Sequence, residues 1–469
     1  MIVFAVSGLV GLLVLVAVAL LLLVHVIVTK PRLEAAASAA LGMEVKVGGK
    51  VGVGFLPALD VTLQDMHIRN RETEVAAAKE TRLEIDLLPL LRNEVRIRNI
   101  AVKHPRISIE RDRDGEFNFE PTEKAGETLL TLDLAKITLS DATVLYADKR
   151  TMEGFEAGDC HLTARHLRLS GGTNRELLRN LSLTGEVACT EIRTKNFALS
   201  GLKLLIAGKD GVFDLKPVLM GVFGGQGSGS IRADFSGDVP VYHVRYSLLH
   251  FRIDDFLKTL SPKEVANGSM DFSANLAMQG KTANEMKQTM DGEISLRGEN
   301  LTLDGNDLDR QLSRFESSQN FNLVDVGAFF FAGPLGLVVT KGYNFAGILQ
   351  GSEGRSEIRT LVSEWKVTRG MAQATDVAMA TKKNRVALQG RLDFVHAMFD
   401  DVTVAVIDAN GCTKVRQKIH GPFQEPVVEK PSILKSLAGP ALNLLKKARA
   451  IFPGKPCEVF YAGSVAPPK

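Results

Sequence analysis

From residue 44 onward the chain alternates apolar and polar residues with a period of two, the spacing of a half-buried strand. Val45, Val47, Val51 and Val53 mark two strands around a Gly48-Gly49 turn. Val61 and Leu63, followed by Met66 and Ile68, share one face only if a bulge lies between them. Leu83, Ile85 and Leu87 alternate with Arg82, Glu84 and Asp86, and Ile107 and Ile109 alternate with Arg106, Ser108 and Glu110. Val95, Ile97, Ile100 and Val102 leave Arg96 and Arg98 facing outward. Asp114-Gly115 is a hairpin signal, after which Phe117 and Phe119 resume the pattern. The same texture returns at 241–248, 294–303, 386–394 and 402–406. One apolar and one charged face per strand predict sheet solvated on one side.

A different pattern precedes the strands. Ile2 to Val28 is a run of about 27 almost uncharged residues, long enough as a helix to cross the ~30 Å core of a bilayer. A cleaved signal peptide is the competing reading, but nothing basic precedes Lys30 and the apolar stretch is too long for one. Helical spacing is otherwise sparse: 33–41, 254–260 and 307–315 are short candidates. From 432 to 452, Ala441, Leu444, Leu445, Ala448 and Phe452 form one face beside Lys446, Lys447 and Arg449. That basic amphipathic helix either covers a sheet end or lies on a membrane surface. The segment 324–339 is unusually apolar, yet too short and too broken by Asp, Gly and Pro to span a bilayer; it reads as buried or interfacial.

The expected fold is therefore mostly β: an N-terminal transmembrane helix, then a long curved antiparallel β-sheet or groove with a few short helices, and a C-terminal amphipathic helix. The expected divisions are 1–30 (anchor), 31–120 (N-terminal β domain), 121–200 (intermediate β region), 201–431 (C-terminal β-groove region) and 432–469 (helix and tail).

Composition narrows the function. A net charge of +3 on 469 residues, with both signs interspersed, argues against a nucleic-acid partner. The four cysteines, Cys160, Cys189, Cys412 and Cys457, allow three complete pairings, and none lies in a CxxC. Cys412 and Cys457 are a candidate disulfide, closing a loop of about 45 residues that is worth a few kcal/mol. The other two read equally well as buried thiols or as a bond. No HExxH, GxxxxGK[ST] or GxSxG occurs. The glycines at 224, 225, 227 and 229 run into a strand rather than a helix, so they form no phosphate cradle. Cys160, His161 and His166 are the one tight metal-capable group, but 161 and 166 face opposite ways on a strand. The expectation is a protein that is not an enzyme and carries no cofactor or metal.

An apolar sheet face must be covered by a second sheet, by helices, by closure, or by a ligand. A 16-carbon acyl chain in bare water costs ~13 kcal/mol, at ~0.8 per methylene, so an uncovered apolar strip is a physical route for moving lipid.

The segment Leu87-Leu88-Pro89-Leu90-Leu91, with Val95-Arg96-Ile97, Pro105-Arg106-Ile107 and the run Arg111 to Asn118, resembles the N-terminal hallmark of the AsmA family. Leu56-Pro57-Ala58-Leu59 and Asp65-Met66-His67-Ile68 fit the same pattern. Leu301 to Asp309, Gly333-Pro334-Leu335-Gly336, Thr381, Gly411-Cys412 and Cys457 to Gly463 resemble the family's second region, with the likeness weakest from about 121 to 200. The resemblance implies kinship with bridge-like lipid transfer proteins. It implies a single-pass anchor in a Gram-negative inner membrane and a periplasmic body, against the naive count of Lys30 and Arg32, which would keep the body in the cytoplasm. Membrane phospholipids are then the partners, with an outer-membrane or periplasmic protein in support. The alternative is a scaffold for outer-membrane protein insertion that carries no lipid. Under the lipid reading Leu83, Ile85, Leu87, Ile97, Ile107 and Ile109 are candidate groove-lining residues. The family brings no catalytic residues.

Overall fold

The computed structural model describes residues 30–54, 59–71, 73–86, 97–120, 131–170, 178–259, 266–304, 307–310, 312, 330, 354–430, 432–433, 457 and 459–468. The expected membrane span (2–28), Leu87, and the face of the expected amphipathic helix lie outside the described residues. Among the described residues no helix is long and apolar enough to cross a membrane. The chain divides into two compact units, the first comprising Met1–Val222 and Gly227–Pro240, the second Phe223–Gln226 and Val241–Lys469. The stretches 31–120 and 121–200 thus fall within one unit.

Unit 1 contains α1 (Lys30–Leu41), β1 (Glu44–Val47), β2 (Val51–Gly54), β3 (Leu59–Asn70), β4 (Thr73–Ile85), β5 (Ile97–Lys103), β6 (Arg106–Arg111), β7 (Thr131–Asp148), β8 (Glu153–Ser170), β9 (Leu181–Thr194), β10 (Ala198–Lys209) and β11 (Val212–Val222). Most of β12 (Gly225–Asp234) also belongs to it. Strands β1 and β2 share β3 as partner, at opposite ends of it. The edge of β1 is closed by α1: Val45 N donates to Ser38 Oγ at 2.8 Å and Val47 N to Glu34 Oε1 at 2.7 Å. These side chains stand where another strand would otherwise pair.

The expectation of a purely antiparallel sheet fails at one place. Strands β5 and β6 both pair parallel with β7. The reason is the connection 112–130, long enough for a crossover. The Asp114-Gly115 turn does form, but it leads to a single bridge, Arg111 to Phe117, and residues 118–120 form no strand.

Strands β3, β7, β8 and β10, and the junction of β5 with β6, are creased at one level of unit 1. Asp65, His104, Asp141, Asp159 and Gly201 all have positive φ, between 48° and 58°. Short polar residues and glycine enter that region most readily. At this level the buried positions step by three instead of two: Leu63 to Met66, Leu139 to Ala142 and Ala157 to Cys160 across creases, and Ala78 to Thr81 in the neighbouring β4. Between Leu63 and Met66 the expected bulge against β4 is not found: Leu63 faces Thr81 and Met66 faces Ala78 in register, and the left-handed Asp65 returns the apolar residues to one face. Such creases bend a strand and increase its twist.

Unit 2 contains β13 (Val241–Arg252), α2 (Ile253–Lys258), β14 (Ala266–Asn267), β15 (Ser269–Gln279), α3 (Ala283–Gln288), β16 (Asp291–Asp304), β17 (Arg355–Thr368), β18 (Met371–Thr381), β19 (Arg385–Asp393), β20 (Met398–Ile407), β21 (Thr413–Pro422), β22 (Val427–Val428) and β23 (Ser432–Ile433). The registered pairs are antiparallel. Ser432 and Ile433 pair with Val415 and Arg416 of β21, so the expected C-terminal helix does not begin at 432. Helix α3 was not expected. Its signal is Thr282 with Glu285: the Thr282 hydroxyl accepts from Glu285 N at 3.2 Å, and Glu285 Oε2 accepts from Lys281 N at 2.8 Å.

The expectation of one solvated face fails in β18–β20. Val377–Thr381, Arg385–Leu388 and Val404–Ile407 are buried at every position. Residues of the C-terminal tail lie on one face and Phe330 lies on the other, as described next.

Candidate functional site

Residues paired directly across a sheet share a face, and in unit 1 these pairs form two uninterrupted rows. The first runs Val51, Leu63, Thr81, Val102, Leu139, Leu162, Val187, Leu204, Val218. The second runs Val53, Val61, Leu83, Ile100, Ile137, Ala164, Gly185, Ile206, Leu215. Thr81 is the one polar member. Its hydroxyl is buried and makes no hydrogen bond to the described residues. The opposite face carries ion pairs such as Lys103–Glu80 at 2.8 Å and Lys203–Glu186 at 3.3 Å. Those pairs are exposed and add little stability; they keep that face wet.

The rows are not equally covered. From β4 to β8 the second row is closed, with Ile137 1 % and Ala164 5 % exposed. Toward β9–β11 it opens: Gly185, Ile206 and Leu215 are only half-buried, and at the other end Val53 is 43 % exposed. Among the expected lining residues, Leu83, Ile85, Ile97, Ile107 and Ile109 all sit in the closed part, in one cluster with Leu134, Ile137 and Leu139. They are packed against protein. The apolar surface still within reach of a ligand lies instead around Val187, Ile192, Leu202, Ile206 and Leu215. The pairing pattern that reveals this was beyond a reading of single strands.

A disulfide stands at the transition. Cys160 and Cys189 are cross-strand partners in β8 and β9 and are bonded, with Cα atoms 4.1 Å apart. Cys412 is bonded to Cys457.

The hallmark segment after β6 has a structural job. Asp112 Oδ1 accepts from the backbone N–H groups of Asp114, Gly115 and Glu116 at 2.8–2.9 Å. Asn118 donates to Ser108 O at 2.8 Å and accepts from Glu110 N at 3.0 Å, closing backbone groups of β6. Phe117 stacks on Phe119 with centroids 5.1 Å apart, under the Arg111 guanidinium.

In unit 2 the inner rows run Tyr246–Ala274–Ile294–Trp365 and Leu248–Phe272–Leu296–Ser363. Trp365 Nε1 donates to Ser363 Oγ at 2.7 Å, and that hydroxyl donates to the carbonyl of Phe330 at 2.7 Å. Phe330 is fully buried. The Tyr246 hydroxyl is buried with no partner among the described residues, and burial pushes its phenol up to about 12.

The outer face of β17–β20 carries small apolar residues, Val362, Ala378, Ala380, Ala387 and Ala405, and Tyr461 and Val465 of the tail pack on them. Tyr461 OH donates to Asp376 Oδ1 at 2.5 Å and accepts from Val465 N at 3.0 Å. Ser464 N donates to Asp376 Oδ2 at 3.0 Å. Arg385 donates to the carbonyls of Val465 at 2.9 Å and Asp408 at 2.8 Å, with the Tyr461 ring beside it. Burial raises Asp376, but the bonds from Ser464 and Tyr461 outweigh it and hold the carboxyl below its ordinary range. Burial, then the Asp376 bond, push the Tyr461 phenol up. A cleft of about 740 Å³ beside this strap is lined by Gln373, Gln389, Arg391, Asp400 and Thr403, groups unsuited to an acyl chain.

A model of the AsmA family matches residues 2–171 and 173–329, well over half of the 469. The chain belongs to the AsmA family. The family match runs through the region 121–200, where the motif resemblance is weakest, and stops before the marks at 333–336, 381, 411–412 and 457–463. Comparison with curated proteins and with solved structures finds no match. Within the family assignment, the Arg111–Asn118 hallmark is a packing motif that secures the edge of β6.

Proposed function

We propose that the protein is an inner-membrane-anchored periplasmic carrier whose apolar sheet face holds phospholipid acyl chains between the inner and outer membranes. The observation that carries this reading is the pair of rows crossing nine strands of unit 1, half-open from β9 to β11. AsmA-family membership supports it. The apolar run 2–28 serves as the anchor in this reading. Half-covered Ile206 and Leu215 gain from contact with a chain whose own exposure costs ~0.8 kcal/mol per methylene, while the headgroup stays in water.

One observation favours the second reading, a scaffold that carries no lipid: the face from β4 to β8 is closed by the protein itself. Full-length protein extracted in mild detergent and analysed by mass spectrometry separates the two. Co-purifying phospholipid, with transfer between donor and acceptor vesicles, is the expected result. Leu215→Asp, at a half-exposed site, is expected to reduce transfer and leave the fold intact, whereas Ile137→Asp buries a charge and unfolds unit 1. Lipid-free protein with no transfer overturns the carrier reading. Protease added to spheroplasts is expected to digest the body; full protection overturns the periplasmic assignment.

A further inference from the structure

The two disulfides differ in what surrounds them. Cys160 and Cys189 are 6 % and 7 % exposed, inside the apolar cluster of unit 1. Cys412 is half-buried, and of the four cysteines only Cys457 is exposed. Disulfide exchange begins with a thiolate reaching one of the two sulfurs, so access separates the two bonds.

The exposed bond also stands at the root of the strap. Val459, two residues beyond Cys457, bridges to Cys412, and Phe460 N and Tyr461 N both donate to Gly411 O, at 2.9 and 3.1 Å. Gly411 has a φ of 81°, and a Cβ there would collide with Tyr461 O, so turn and strap meet backbone to backbone. From this root the strap reaches Asp376 and Arg385. With the bond intact, the strap begins two residues from a covalent fixed point. Without it, the nearest fixed point along the chain is Ile433, paired with Val415 of β21, and residues 434–458, about 25 of them, intervene. The cost of closing a loop follows the three-halves power of its length, so cutting the bond disfavours the closed strap on the order of 10- to 50-fold.

We infer that Cys412–Cys457 is a thiol–disulfide exchange site whose reduction unlatches the strap from β17–β20. The co-reactant is a dithiol. One of its thiolates attacks Cys457 Sγ, the bond to Cys412 breaks, and Cys412 leaves as a thiolate that takes a proton. The second thiolate of the dithiol then displaces Cys457, which takes a proton in turn. The dithiol ends as a disulfide and the protein gains two thiols, a transfer of two electrons and two protons. Release of the strap uncovers the small apolar residues Ala378, Ala387 and Ala405 and frees Asp376 and Arg385 from their strap partners. The inference is independent of the carrier reading, since it concerns the outer face of unit 2 and involves no lipid.

Full-length protein in mild detergent is titrated with dithiothreitol under native conditions. Thiols are trapped with N-ethylmaleimide and located by peptide mass spectrometry, and hydrogen exchange of 459–466 is followed in parallel. Cys412 and Cys457 are expected to be labelled at concentrations that leave Cys160 and Cys189 bonded. Over the same range, exchange of 459–466 is expected to rise about 10- to 50-fold, with peptides from β3 to β8 unchanged. Release of all four thiols together, or of none before the protein unfolds, overturns the exchange site. Reduction of Cys412 and Cys457 with unchanged exchange overturns the unlatching. The double variant Cys412→Ser, Cys457→Ser needs no reductant and is expected to exchange at 459–466 like reduced wild type. Exchange like that of oxidised wild type overturns the inference.

Discussion

Tyr461→Phe removes one oxygen and disconnects the strap from two partners. The Asp376 carboxylate loses a bond at 2.5 Å, and the Val465 N–H, almost wholly buried, loses its acceptor at 3.0 Å. A hydrogen bond to a charged group is worth ~1.5–3 kcal/mol and an ordinary one ~1, so local closure of residues 459–466 should weaken by about 2–4 kcal/mol. The ring itself remains, so packing on Ala378 and Ala387 is retained. Hydrogen exchange read by mass spectrometry is the assay. Peptides covering 459–466 should exchange about 30- to 1,000-fold faster, and peptides from β3 to β8 should not change. The strap also has a pH signature. The lowered carboxyl of Asp376 contributes stability above ~pH 4, which is lost as pH falls through its folded value; the raised phenol of Tyr461 contributes stability up to ~pH 10, lost above it. Exchange from the strap should therefore show flat protection between those limits and rise at both ends. Unaltered exchange in Tyr461→Phe, with the wild-type pH profile, would refute the Tyr461 hydroxyl as the latch and leave the strap to its apolar contacts and to the Ser464 and Arg385 hydrogen bonds.

Two further outcomes are expected. Alkylation under denaturing conditions should label no cysteine without reductant and all four with it, because Cys160–Cys189 and Cys412–Cys457 account for every thiol; one labelled pair would remove one of the bonds. Asn118→Ala should destabilise unit 1 by about 1–3 kcal/mol, since Glu110 N and Ser108 O lose their partner; an unchanged denaturation midpoint would show that water replaces the amide.

The strands themselves were legible because their chemistry is local. Val45 to Val53, Leu83 to Ile85 and Ile107 to Ile109 alternate in the sequence as they do in the sheet, and the step from Leu63 to Met66 marks an irregularity, which the chain makes with a left-handed Asp65 and not with an inserted residue against β4. What escaped is what depends on partners. The parallel pairing of β6 with β7 leaves no mark in either strand. The candidate lining residues alternate cleanly, and clean alternation marks the positions that are best packed; the half-open surface lies in β9–β11, where Gly185 and Gly208 interrupt the pattern. Full burial of Val377–Thr381 followed from the Tyr461–Val465 strap, some eighty residues away, whose apolar contacts are too few to read in advance. Cys160 and Cys189 could not be paired from spacing, because their bond depends on a crease in β8 bringing the correct residue opposite Cys189.

The crease has a consequence for how such long strands find each other. Strands β7 and β8 run to 18 residues each, and in a plain ladder of that length a slip of two residues is nearly free, because every side chain keeps its side. Here a slip of two would set Asp141 against a stretch with no matching bend and would force an ordinary residue into the left-handed region elsewhere. The bend thus works as an alignment notch: β7 and β8 lock only when the notches at Asp141 and Asp159 coincide. Errors of pairing made on one side of it are stopped before they reach the other.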